Sequence, residues 1–177
     1  GHPSAYVLTC ELGKNQEWKK ETEMIGEPRV QPVCAAYDGK LYVWGGFYQN
    51  GKSSIVATSG LRYQLQGKCW NPLPAPRNGE GKELTLTGAT AMLAVSPDGE
   101  AQIICAGGVN RDIFWEAISG TYSKVAQADY LKKDISWYQF NGCPLTYQLK
   151  TERWEILSHQ TPLLARAGAQ VAMRKHT

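Results

Sequence analysis

The sequence has few side chains that could hold a metal ion, and it has no long hydrophobic run. Its three histidines, His2, His159 and His176, are isolated from one another, and no HxH, HExxH or CxxC motif occurs. No apolar stretch approaches the roughly 20 residues that a membrane-spanning helix needs. There is no GxSxG motif for a nucleophilic serine and no basic run for a nucleic-acid surface. We therefore expect no metal centre, no membrane span and no nucleic-acid partner.

Glycine, tyrosine and tryptophan are plentiful. The 177 residues include 18 Gly, 9 Tyr and 6 Trp, which favours strands and turns over a bundle of helices. The hydrophobic fraction of 42% is ordinary for a globular protein, and the net charge of +3 is spread along the chain. The 5 cysteines are scattered and cannot all pair within one chain, so they leave the cellular compartment open.

Residues 98–118 have the order turn, strand, glycine pair and helix. Their sequence is DGEAQIICAGGVNRDIFWEAI, in which the turn dipeptide Asp98-Gly99 precedes an apolar run that ends at Gly107-Gly108. An earlier copy, DGKLYVWGG, spans residues 38–46. Two copies with matching surroundings indicate a repeat.

Each repeat also contains a strand with tyrosine and a strand with tryptophan. The three matching segments are AYVLTCELGKNQEWKKE, LRYQLQGKCWNPLP and LTYQLKTERWEILS, and each is followed by a strand containing alanine or glycine. Four short strands in about 50 residues, with a glycine pair, are typical of kelch-type propeller blades. The sequence therefore predicts an all-β, kelch-type β-propeller rather than a β-sandwich with coincidental glycine pairs. About three blades are expected, at residues 5–44, 61–107 and 145–173.

Residues 111–133 interrupt this pattern and are expected to form a helical insert. Asp112 is the predicted N-cap. One helical face would pack against the propeller rim, and it consists of Ile113, Phe114, Ala117 and Ile118. The inner strands, at residues 30–36, 88–93 and 167–172, are expected to line the central channel.

A phosphate-loop pattern, GxxxxGK[ST], is matched by GFYQNGKS at residues 46–53. The motif requires a helix that starts at Lys52 and offers its free N–H groups to phosphate. The chain instead continues SIVATSG, which is β-branched and reaches a glycine within a few residues. We therefore expect no nucleotide site here.

Polar residues at strand ends are the remaining candidates for a binding site. Arg29, Arg77 and Arg166 each follow a loop that leads into an inner strand, where an arginine could bind a carboxylate through two hydrogen bonds or brace neighbouring blades. Asn110 follows the second glycine pair directly, at a strand-to-helix corner. Both a ligand contact and a helix cap fit that position.

The segments GGVNRDIFWEAI, YQFNGCPLTYQLKTERWEIL and LLARAGAQV closely resemble the cyclically permuted mutarotase family, the N-acetylneuraminate epimerases. EPRVQPVCAAYDGKLYVWGG resembles the first full blade of the same family. The resemblance implies a six-bladed kelch propeller that interconverts the α and β anomers of N-acetylneuraminate without a cofactor. It also implies a periplasmic or secreted bacterial protein.

The chain is about half the length of a family member. The family's proton-accepting glutamate lies in a Gly-Glu motif beyond Thr177, so the resemblance places no catalytic residue in this chain. It implies substrate binding at Asn110, Arg29 and Arg166, and it implies that the remaining half of the propeller is further sequence or a second chain. The alternative function is a kelch module that binds proteins through its blade loops without catalysis. The helical insert favours the mutarotase.

Overall fold

The computed structural model describes residues 3–11, 13, 17–49, 54–119, 128–157 and 165–172. These residues form short strands, which are, in chain order, β1 (Leu8–Thr9), β2 (Lys19–Lys20), β3 (Val33–Tyr37), β4 (Lys40–Trp44), β5 (Phe47–Gln49), β6 (Ser54–Val56), β7 (Gly60–Gln64), β8 (Cys69–Leu73), β9 (Ala89–Val95), β10 (Ala101–Gly107), β11 (Leu145–Gln148) and β12 (Arg153–Ile156). Helix α1 spans Arg111–Ile118, and a 3-10 helix spans Ile135–Tyr138. Within the described ranges no helix is long and apolar enough to cross a membrane.

Two four-stranded antiparallel sheets form two blades of a kelch-type propeller. The first blade has the strand order β3-β4-β7-β8, and the second has the order β9-β10-β11-β12. Strands β1 and β2 pair with each other and pack beside the first blade, where the Tyr63 hydroxyl donates to Glu21 at 3.2 Å and the Trp70 indole donates to the carbonyl oxygen of Thr22 at 3.2 Å. The all-β kelch architecture predicted from the repeats is confirmed.

The Asp-Gly dipeptides form the turns between the first two strands of each blade. Asp38 and Gly39 both have positive φ, at 48° and 66°, and Tyr37 pairs directly with Lys40. This is the two-residue hairpin geometry that Asp-Gly favours. In the second blade the strands pair from Val95 to Ala101, so the same dipeptide lies within a longer loop.

The sheets group the strands differently from the expected blade ranges. The range 5–44 contains β1 and β2 with β3 and β4 of the first blade, and the range 61–107 contains β7 and β8 of the first blade with β9 and β10 of the second. The range 145–173 contains β11 and β12 of the second blade. The sequence repeat has the correct period, but its starting point along the chain cannot be read from spacing alone. The strand expected at residues 167–172 is not formed, since residues 165–172 have no strand pairing, and Met173 lies outside the described residues.

The insert is also less regular than expected. Helix α1 ends at Ile118, residues 128–130 are helical, residues 131–133 are not, and residues 120–127 lie outside the described part of the chain. The N-cap is Asn110, not Asp112, because the Asn110 side chain accepts hydrogen bonds from the backbone N–H groups of Asp112 and Ile113. Phe114, on the expected apolar face, packs against Phe47 in an edge-on contact with the ring centroids 5.1 Å apart.

The glycine-rich segment after β4 forms a hairpin rather than a phosphate loop. Strands β5 and β6 pair from Phe47–Val56 to Gln49–Ser54, and residues 50–53 lie outside the described ranges. The hairpin was not predicted. Ser54–Val56 is a strand, so the described residues after Lys52 do not continue in the helix that the phosphate-loop motif requires.

An aromatic cluster fills the interface between the two blades. Trp44 and Tyr147 are fully buried, and their ring centroids lie 4.7 Å apart in an edge-on contact. Trp154 packs against Trp44 at 5.1 Å. The indole N–H groups of Trp44 and Trp154 donate to the same carbonyl oxygen, that of Pro74, at 3.1 and 2.9 Å. Because Trp44 belongs to the first blade and the other two rings to the second, this cluster holds the blades together.

Gly60 is required by this cluster. A Cβ atom on Gly60 would lie 2.7 Å from Cε2 of Trp44 and still closer to the indole nitrogen. We predict that Gly60→Ala lowers the free energy of unfolding by about 1–3 kcal/mol, as overpacking a core does. Gly79→Ala is the matched control, since its added methyl group meets no atom within 4 Å. Urea unfolding of the full-length protein measures both variants, and equal stabilities would contradict this packing.

Candidate functional site

The three candidate residues lie at the same end of the two blades. Ala89, at the start of β9, pairs with Gly107 at the end of β10, and Val33 pairs in the same way with Trp44. Arg29 precedes β3 and Asn110 follows β10, so antiparallel pairing brings both to that end. The carbonyl oxygen of Arg166 accepts a hydrogen bond of 2.8 Å from the backbone N–H of Gly108.

A chain of equivalent hydrogen bonds connects successive repeats at this end. The N–H of Gly88 donates to the carbonyl oxygen of Gln31 at 3.2 Å, and the N–H of Gly168 donates to the carbonyl oxygen of Gly88 at 2.7 Å. Gln31, Gly88 and Gly168 all have positive φ, at 53°, 69° and 74°. The three residues therefore occupy the same position in three consecutive repeats.

The first glycine pair allows a close approach between the blades. A Cβ on Gly45 would lie 2.7 Å from backbone atoms of Leu86 and Thr87. The N–H of Gly46 donates to the buried hydroxyl of Thr87 at 2.9 Å. A side chain at Gly45 would separate the end of β4 from the segment before β9, and a Cβ on Gly46 would lie 2.9 Å from Cβ of Arg29. The glycine pair therefore fixes the position of the candidate site.

Arg29 is bound on one side to its own blade. Its Nη1 group donates to the carbonyl oxygens of Gly45, at 3.2 Å, and Ser59, at 2.9 Å, and its Nη2 group donates to the Ser59 hydroxyl at 2.9 Å. Burial lowers the pKa of Arg29 from its ordinary value, although a guanidinium stays protonated in proteins. The guanidinium is therefore a positioned cation.

Asn110 uses its two polar atoms differently. Its Oδ1 accepts from the N–H groups of Asp112, at 3.1 Å, and Ile113, at 3.2 Å, which is the N-cap arrangement. Its Nδ2 donates to Oε1 of Gln139 at 3.5 Å, a long contact. The side chain is thus a helix cap through its oxygen, and its amide N–H group is held only weakly.

The other two arginines differ in their surroundings. Arg77 donates to Glu83 at 2.6 Å and to the carbonyl oxygen of Gly81 at 2.8 Å, so it closes its own loop. Arg166 is exposed and borders an apolar groove of about 350 Å³ on the second blade, which also contains Met92, Ile104 and Val171.

A cleft of about 270 Å³ lies beside Arg29, and we call it the Arg29 cleft. Its other lining residues include Phe47, Tyr48, Val56, Thr58 and Arg111. A second cavity of about 620 Å³, the Trp115 cleft, shares Ile55, Val56 and Arg111 with the first and is bordered by α1. Arg111 therefore borders both cavities, and Arg29 borders the first.

Sequence reasoning missed Arg111, Tyr48 and Thr58 because it did not predict the β5–β6 hairpin. The hairpin contacts α1 through Phe47 and Phe114, and thereby sets Arg111 beside the Arg29 cleft. An available signal was the dipeptide Asn50-Gly51 between two β-prone runs, which is a strong hairpin pattern. No group of three or more metal-ligating His, Cys, Asp or Glu side chains occurs within the described residues.

Comparisons with known proteins agree with this architecture. The family model for N-acetylneuraminate epimerase matches residues 2–177. The N-acetylneuraminate epimerase of Haemophilus influenzae strain PittEE is 31% identical over 168 residues, which are 86% of this chain and 40% of that protein. The corresponding protein of Yersinia enterocolitica is 29% identical over 175 residues, with 89% and 41% covered. This chain thus spans about two fifths of the length of these relatives.

The solved structure of YjhT has a similar fold. Its TM-score to this chain is 0.72 at 24% sequence identity, and the match covers 93% of this chain and 48% of the YjhT chain. Because the family model covers almost every residue, the chain belongs to the N-acetylneuraminate epimerase family.

Proposed function

We propose that this chain forms the substrate-positioning part of an enzyme that interconverts the α and β anomers of N-acetylneuraminate. The observation that carries the proposal is Arg29, a guanidinium fixed by three hydrogen bonds on a cleft at the end of the blades. The substrate class comes from the family, whose relatives are named N-acetylneuraminate epimerases. A carboxylate on a sugar is a group that the Arg29 guanidinium can bind through two hydrogen bonds.

Anomer exchange requires the pyranose ring to open and to close again on the other face. A base removes the proton of the anomeric hydroxyl as the bond between the anomeric carbon and the ring oxygen breaks, and an acid protonates that ring oxygen. The resulting ketone turns about its bond to the rest of the sugar before the reverse steps occur. A fixed carboxylate keeps the reacting carbon in place while the ring is open.

Arg29 suits the role of carboxylate ligand. Three hydrogen bonds to Gly45 and Ser59 fix the guanidinium, while its Nε–H and one Nη2–H have no partner among the described residues. These two N–H groups lie on the same edge of a guanidinium and can bind a carboxylate with two parallel hydrogen bonds. We assign the amide of Asn110 to a sugar oxygen and Arg166 to the channel rim.

The rest of the propeller completes the site in this proposal. The apolar groove beside Arg166 exposes aliphatic surface, with Val171 44% exposed, and such a blade face is normally covered by the next blade. Since this chain spans about two fifths of its relatives, the proposal assigns the base and the covering blade to further sequence or to a second chain.

We predict that Asn110→Ala slows anomer exchange in the full-length protein at least about tenfold, since one positioning hydrogen bond is lost. Asn110→Asp is the matched control, because a carboxylate still caps the helix but cannot donate to the sugar when ionised. Both variants should therefore be slow, while only the alanine variant destabilises α1. Proton NMR of freshly dissolved sugar measures the exchange, and an unchanged rate in both variants would remove Asn110 from the site.

We predict further that residues 1–177 alone show no acceleration of anomer exchange, because the proposed base lies outside them. The full-length protein should accelerate it under the same conditions.

Sedimentation and thermal melting of the fragment test the open apolar groove, which should cause association of the fragment or a broad melting transition. A monodisperse, cooperatively melting and active fragment would contradict the proposal that other blades are needed. An inactive full-length protein would instead favour a kelch module that binds proteins.

A further inference from the structure

The Trp115 cleft lies between helix α1 and strand β6. Helix α1 brings Arg111 and Trp115 to it from successive turns, since residues four apart lie on the same helical face. Opposite them, β6 contributes Ser54, Ile55 and Val56. The cleft holds about 620 Å³, which is within the range of small-molecule sites.

Trp115 is exposed but fixed in position. Its indole N–H donates to the carbonyl oxygen of Ser54 at 3.1 Å, while 47% of the residue remains accessible to solvent. Ile55 beside it is 37% exposed. A fixed, half-exposed aromatic ring is a suitable surface for the C–H face of a pyranose, because the ring loses little conformational freedom on binding.

Arg111 supplies a cation to the Trp115 cleft, which Asp112 and Glu116 also line. Its side chain is exposed and has no hydrogen-bond or ion-pair partner within the described residues. The adjacent Asp112 does not compensate for it, because that carboxylate pairs with Lys82 at 2.7 Å. Glu116, also on the cleft, offers carboxylate oxygens that can accept hydrogen bonds from sugar hydroxyls.

We propose that Arg111 and Trp115 form an outer subsite for an anionic pyranose, in which Arg111 binds the carboxylate and Trp115 packs against the ring. The Trp115 cleft and the Arg29 cleft share Ile55, Val56 and Arg111, so a sugar acid bound at the outer subsite lies next to the inner one. The identity of the sugar acid rests on the proposed function. The subsite increases the affinity for charged over neutral sugars at the entrance to the cleft.

The test uses the methyl α-glycoside of N-acetylneuraminate, whose ring cannot open, and the methyl ester of that glycoside, which lacks the charge. Binding to the full-length protein is measured by ligand-observed NMR titration. Arg111→Gln should weaken binding of the acid about tenfold, as expected for one charged hydrogen-bonding partner, and should leave the ester unchanged. Trp115→Ala should weaken both ligands, while Trp115→Phe, which keeps an aromatic ring, should retain most of the affinity.

Two variants outside the cleft serve as matched controls. Arg153→Gln removes an exposed arginine from β12, and Trp18→Ala removes a tryptophan that is 70% exposed. Neither should change the affinity. The subsite would be overturned if the Arg111→Gln variant bound the acid as tightly as the wild-type protein does. It would also be overturned if the affinity of the variant for the ester fell by the same factor as its affinity for the acid.

The same experiments separate this inference from the proposed function. If the wild-type protein exchanges anomers but no variant changes the affinity for the glycoside, the subsite is wrong and the proposed function stands. If the wild-type protein exchanges no anomers but the acid binds with the expected variant pattern, the proposed function fails and the subsite stands.

Discussion

The shared hydrogen-bond acceptor between the blades sets the geometry on which the rest of the structure depends. Trp44 of the first blade and Trp154 of the second donate to one carbonyl oxygen, that of Pro74. Tyr147 lies against both indoles, with ring centroids at 4.7 and 5.1 Å. Each aromatic contact of this kind contributes on the order of 1 kcal/mol beyond the burial of area. The direction of the indole N–H groups also restricts the angle between the blades, which apolar contacts alone would not.

That angle determines where the ends of the strands lie. The glycine pair at Gly45-Gly46 reaches the segment before β9 only because the blades are close, and Gly88 and Gly168 continue the contact from one repeat to the next. These contacts place the loops that carry Arg29 and Asn110 at one end of the propeller. The function proposed for that end therefore depends on packing between blades at some distance from it.

The repeat made the fold predictable, and the irregular parts limited the prediction of the site. Tyrosine, tryptophan and Asp-Gly spacing predicted strands of the right type, and Leu145–Gln148 and Arg153–Ile156 formed as expected. The hairpin β5–β6 was not predicted, because each of its strands has only three residues and the first lies within the phosphate-loop match. Arg111 was not predicted as a cleft residue for the same reason, because its position beside the cleft depends on the contact between this hairpin and α1.

The role of Asn110 shows a different limit. Its position after a glycine pair fits both a cap and a ligand contact, and side-chain geometry was needed to show that its oxygen caps α1. Cys34, in strand β3, shows that membership of an apolar strand does not by itself decide burial. It is exposed because alternation along β3 turns it away from the face on which Val33 packs against the second blade.

A crystal structure of the full-length protein with N-acetylneuraminate would test the position of the substrate most directly. The account predicts the sugar in the Arg29 cleft, with its carboxylate about 2.7–2.9 Å from the Arg29 guanidinium. The Asp38-Gly39 and Asp98-Gly99 turns mark the opposite end of the blades. A sugar bound beside those turns, with the Arg29 cleft empty, would contradict the account.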